Sequence, residues 1–129
     1  MRDSLEKESI EEKIVDHIIN NFSVEVIYLY GSRARGRIHK ESDWDIAILF
    51  PDYIPDILDR YSRPQDVEAL LQRELKLYDK ISVVDLEIVP PPLQFNIIKG
   101  KILYCKVPSR RFRIEHSIIS KIEKDYYAR

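Results

Sequence analysis

The sequence predicts a mixed α/β domain, one small sheet flanked by helices, on three observations. Apolar residues recur at helical spacing towards both ends of the chain, short β-branched runs lie between them, and prolines and glycines punctuate the change from one to the other. At 129 residues the chain is expected to form one compact domain spanning 1–129.

Taken in order, Ile10, Ile14, Ile18 and Ile19 recur among charged residues, which predicts an amphipathic helix over roughly 4–21. VEVIYLY (24–30) is β-branched and aromatic, so it reads as a strand covered on both faces and closed by Gly31 and Ser32. SRARGRIHKES (32–42) has no apolar period and reads as a turn, a short helix capped by Ser32 and a loop. From Asp43 to Phe50 the chain alternates: Trp44, Ile46, Ile48 and Phe50 face one way, Asp43, Asp45, Ala47 and Leu49 the other. Pro51 and Pro55 make 51–63 an irregular connection with one helical turn near Asp56–Arg60, and a helix over 64–78 starts at Ser62 or Pro64, with Val67, Leu70, Leu71 and Leu75 as its stripe. ISVVDLEIV (81–89) reads as a strand that Pro90, Pro91 and Pro92 end, because proline cannot donate a ladder hydrogen bond. A short helix over 92–98, a strand at 101–107 and a C-terminal helix from Ser109, striped by Ile114, Ile118, Ile122 and Tyr126, complete the chain.

Lys and Arg total 21 against 22 Asp and Glu, so no global field draws the chain to nucleic acid or a membrane, and a polyanion must meet a local basic patch. Cys105 has no partner for an internal disulfide, the start MRDSLEKESIEEK is too charged for a secretory segment, and no apolar run nears the ~18 residues of a membrane span, so a cytoplasmic location is expected. His17, His39 and His116 lack ligand spacing, and Trp44 faces away from the acids that flank it.

The chemistry concentrates in Gly31-Ser32 and, ten residues later, Asp43-Trp44-Asp45. Carboxylates at i and i+2 of a strand share a face, with Cα atoms roughly 7 Å apart, so their oxygens can converge on a hard cation. Magnesium suits such a pair, since it takes one or two carboxylates and completes its shell with water and substrate phosphate. Backbone N–H groups at Gly31-Ser32 would face a phosphate, and Arg33, Arg35 and Arg37 are candidates for holding a triphosphate. A solvated strand edge accounts for two acids but leaves the preceding glycine turn unexplained.

YGSRARGRIHKESDWDIAILF resembles the minimal nucleotidyltransferases of the DNA polymerase β superfamily, in which GS is followed at this spacing by DxD, and the likeness continues through VVDLEIVPPPLQFNIIKGKILY. The resemblance implies a polymerase β-like nucleotidyltransferase fold and a protein adenylyltransferase that uses ATP with two Mg2+ ions. It further implies an antitoxin that transfers AMP to a tyrosine of a HEPN-domain toxin. Asp43 and Asp45 would ligand the metals, and Gly31 and Ser32 would hold the nucleotide phosphates, beside the Arg33 and Arg35 put forward above. The third carboxylate of such families falls near Ser82 in this chain, which offers Asp85 instead. Asp85 is put forward as catalytic residue and metal ligand, which needs a bulge or shifted register, with Glu87 as fallback. Should that carboxylate be missing, the alternative is a module that neutralises the HEPN ribonuclease by contact. RNA as acceptor is a third, weaker class, to be told apart by where label lands.

Overall fold

The computed structural model describes residues 2–36, 43–78 and 80–127, with 2–9 and 127 given by their backbone alone. Its elements are α1 (Arg2–Asn21), β1 (Val26–Tyr30), β2 (Trp44–Leu49), α2 (Ile57–Leu75), β3 (Ile81–Asp85), α3 (Pro91–Ile98), β4 (Lys101–Cys105) and α4 (Pro108–Tyr127). Among the described residues the strands form one four-stranded sheet in the order β3-β2-β1-β4. β1 runs antiparallel to β2 and β4, while β2 and β3 run parallel. The expected mixed sheet flanked by helices is what forms.

The alternation of β2 sorts the core into two layers. Trp44, Ile46, Ile48 and Phe50 pack with Ile14 and Ile18 of α1 and Val67 and Leu71 of α2. Ala47 and Leu49 join Val26 and Tyr28 of β1, Ile97 of α3 and Ile118 of α4 on the opposite face. Side chains alternate along a strand, so Asp45 belongs to the α3/α4 face, at the end of β2 where the buried run gives way to polar residues. No helix among the described residues is long and apolar enough to cross a membrane.

The helix α2 and the strand β3 depart from the sequence expectation. α2 starts at Ile57 rather than near Pro64, because Asp56 caps it: its carboxylate accepts from the N–H groups of Leu58 at 2.9 Å and Asp59 at 3.2 Å. Ile57 and Leu58 are exposed and continue no buried stripe, while Pro64 sits inside the helix, where it cannot donate to the carbonyl one turn back. β3 ends at Asp85, four residues short of the expected limit. Both differences are made by an aspartate that folds its side chain onto nearby backbone.

Candidate nucleotide and metal site

Tyr30, the last residue of β1, pairs with Asp45 in the antiparallel ladder. The chain then turns through Gly31 at φ +76°, a left-handed conformation that glycine adopts without strain, and the Arg35 N–H donates to the Gly31 carbonyl at 3.3 Å. A Cβ at Gly31 would overlap Oδ2 of Asp45 and stand 3.2 Å from its Cγ. The turn therefore lies directly against the carboxylate, and only the missing side chain allows it. Gly31→Ala should impose about 1–2 kcal/mol of left-handed strain and displace the Asp45 carboxylate. We expect a loss of nucleotidyl transfer of about tenfold or more, measured as kcat/KM beside a thermal unfolding curve that shows the variant still folds.

Asp43 is exposed and immediately precedes β2. Burial raises the Asp45 pKa above the usual carboxylate range, and the Asp43 charge adds to the rise. The Tyr30 hydroxyl is pushed up to about 12, first by burial and then by the Asp45 charge. Two acids that repel each other at the mouth of a glycine turn suit a hard cation, which would relieve the repulsion and bring phosphate with it. The chemistry of this pair is that of a cation ligand set.

Ser32, partly buried, follows the glycine in the turn. The Arg33 guanidinium lies 4.0 Å over the Trp44 ring; burial lowers its pKa, opposed by the charges of Asp43 and Glu11. Arg33 thus stands on the far side of β2 from Asp45, stacked against the core. Arg35 is exposed, with Nε donating to the Gly31 carbonyl at 3.4 Å. The short helix expected after a Ser32 cap is not found at its start: Ser32 to Gly36 form turns, and Arg37 with the rest of that stretch lies outside the described residues.

Asp85 does not join the pair. In the parallel ladder Asp45 lies beside Ser82, and Asp85 lies beside Ile48, three residues or roughly 10 Å farther along the strand. Its phase is that of Ile81 and Val83, which belong to the α1/α2 layer, the face opposite Asp45. There Asp85 is 3% exposed, accepts from the Glu87 N–H at 2.9 Å and pairs with Arg63 at 3.4 Å. The register is regular between β2 and β3, so the shift that would have brought Asp85 to the metals is missing. Glu87 is no substitute: it stands in the turn after β3, paired with Arg110 at 3.1 Å. Among the described residues no group of three His, Cys, Asp or Glu side chains is placed to hold a metal.

Sequence reasoning overlooked a cleft of about 260 Å3 beside the turn, lined by Tyr30, Gly31, Ala34, Arg35, Leu93, Asn96, Lys99 and Gly100. Leu93, Asn96 and Lys99 recur at intervals of three, which places them on one face of α3 and its cap. That spacing was visible in the sequence, though not what the face would meet.

A family model described as polymerase beta, nucleotidyltransferase matches residues 12–109. The chain belongs to this nucleotidyltransferase family. Over 70 residues it is 34% identical to the protein adenylyltransferase MntA of Shewanella oneidensis, a match covering 54% of this chain and 50% of that relative, so the alignment spans about half the relative's length. Among solved structures, a toxin–antitoxin with AMP-PNP is 26% identical with a TM-score of 0.72, over 92% of this chain and 91% of that one. A tri-AMPylated Shewanella oneidensis HEPN toxin in complex with MNT antitoxin supplies a chain at 22% identity and a TM-score of 0.68, over 95% and 91%, a likeness that speaks to the fold alone. In this nucleotidyltransferase the glycine turn and the Asp43–Asp45 pair fall inside the matched residues.

Proposed function

We propose that this nucleotidyltransferase is a cytoplasmic antitoxin that transfers AMP from ATP to a tyrosine of a HEPN-domain toxin. The observation that supports the reading is the packing of the Gly31 turn against the Asp45 carboxylate, as a phosphate-cradling turn beside a cation ligand would require. The adenylyl donor and the toxin partner come from the kinship with MntA and from the toxin–antitoxin that carries AMP-PNP.

Asp43 and Asp45 would hold Mg2+, two ions in this reading, and the backbone at Gly31-Ser32 would receive the phosphates, with Arg35 beside it. Magnesium, when bound, supplies charge neutralisation for the attacking and leaving oxygens. The tyrosine oxygen attacks the α-phosphorus, the bond to the bridging oxygen breaks, pyrophosphate leaves with the electron pair, and the tyrosine proton passes to solvent. Arg33, stacked on Trp44 and drawn by Asp43, steadies the strand that carries the two acids.

Ser82, beside Asp45 where a third carboxylate would complete the site, favours a second reading in which the protein neutralises the toxin by contact with little chemistry. Incubation with ATP labelled at the α-phosphate, Mg2+ and a HEPN toxin separates the two. Label on a toxin tyrosine, located by mass spectrometry, supports transfer; a tight complex that stays unlabelled supports contact alone; label on RNA would overturn the choice of acceptor.

A further inference from the structure

The cleft beside Gly31 has the chemistry of a polyphosphate site. Two cations line it, Arg35 from the turn and Lys99 from the cap of α3, with the Asn96 amide between Lys99 and the apolar Leu93. No acidic side chain among the described residues does so. At about 260 Å3 it falls below the roughly 300 Å3 at which pockets for drug-sized ligands begin, so it suits part of a nucleoside triphosphate.

Its walls are held in place. A Cβ at Gly100 would overlap the Leu29 carbonyl oxygen and stand 3.1 Å from that of Ile97, so the end of α3 is pressed against β1 two residues before the turn. Lys99 is exposed, and its ammonium lies 4.7 Å over the Phe95 ring on the preceding helical turn. The aromatic face limits where the charge can go without neutralising it.

We propose that Lys99 binds the β- and γ-phosphates of the nucleotide in this cleft, with Asn96 as a second donor, and stabilises the pyrophosphate that departs. This rests on the nucleotidyl-transfer reading above. As the bond from the α-phosphorus to the bridging oxygen breaks, the electron pair goes to the pyrophosphate, and a cation set on the far side of the turn from Asp43 meets that charge. Arg35 and Lys99 then act as a pair on the leaving group, while Asp43 and Asp45 act at the α-phosphate.

The test is the affinity of the wild type, Lys99→Ala and Lys99→Arg for ATP, inorganic pyrophosphate and AMP, measured by calorimetry with Mg2+. Because Lys99 is exposed, Lys99→Ala should fold, which an unfolding curve verifies. We expect ATP and pyrophosphate to bind about tenfold more weakly to Lys99→Ala, as when one charge-assisted contact is lost. AMP, which lacks those phosphates, should bind as before, and Lys99→Arg should recover most of the loss. An equal loss for AMP would assign the cleft to the nucleoside and overturn the proposal, as would unchanged binding of all three ligands. A wild type that binds none of them would instead overturn the transfer reading, and the role of Lys99 with it.

Discussion

Asp45→Asn should lower adenylyl transfer by at least ~10²-fold, because losing one well-placed electrostatic group in an active site commonly costs about 3 kcal/mol of transition-state stabilisation. The asparagine keeps the shape that fits against Gly31, so the loss would report charge rather than packing. Folding should not suffer. Burial and the neighbouring Asp43 already hold the Asp45 pKa above the usual range, which means that its ionised form costs stability, and the neutral side chain removes that cost. The sign can be checked through pH. A raised carboxylate pKa makes the unliganded folded state favour the proton, so stability from this group is greatest below the unfolded value of about 3.9 and declines as pH rises through the folded one. Cation binding should run the other way, weakening as acid protonates Asp45. Single-turnover rates for wild type and variant decide the matter, and equal turnover would remove Asp45 from the chemistry.

The residues of this site were legible because they depend on local rules. A glycine turn closing a strand, followed by Asp45 in the polar phase of the next with Asp43 just ahead of it, needs only alternation and the conformational freedom of glycine, and both are found. What escaped depends on partners distant in sequence. The start of α2 was hidden because Ile57 and Leu58 are exposed and so carry no periodic signal, while Pro64 mimics a helix start. The place of Lys99 depends on the packing of α3 beside the Gly31 turn, which no local pattern encodes. The serine at the place of a third carboxylate was visible in the sequence, and the register fixes the geometry: Ser82, not Asp85, is Asp45's neighbour.

Asp85 then needs a different account, and its environment supplies one. Its carboxylate holds the Glu87 N–H, its carbonyl accepts from Ile88 at 3.1 Å, and together these turn the chain out of β3 towards α3. Arg63 joins it to α2 at 3.4 Å while lying 4.3 Å over Phe50 and donating to the Asp52 carbonyl at 3.0 Å. Burial still raises the Asp85 pKa, against the Glu87 N–H and Arg63, because desolvation outweighs a long ion-pair contact. Asp85→Ala should therefore destabilise the fold by about 3 kcal/mol, the lower end for a buried pair that loses one partner, or roughly 10 °C in Tm. Below its unfolding temperature the variant should transfer AMP at close to the wild-type rate, since the side chain lies across the sheet from Asp45. Asp85→Asn, which can still accept from Glu87, should be less damaging. Relative to it the wild type should gain stability as pH falls from the raised Asp85 value towards about 3.9. Chemical denaturation of the three proteins at several pH values, beside their turnover, distinguishes a structural from a catalytic aspartate. Lost turnover with unchanged stability in Asp85→Ala would return Asp85 to the active site.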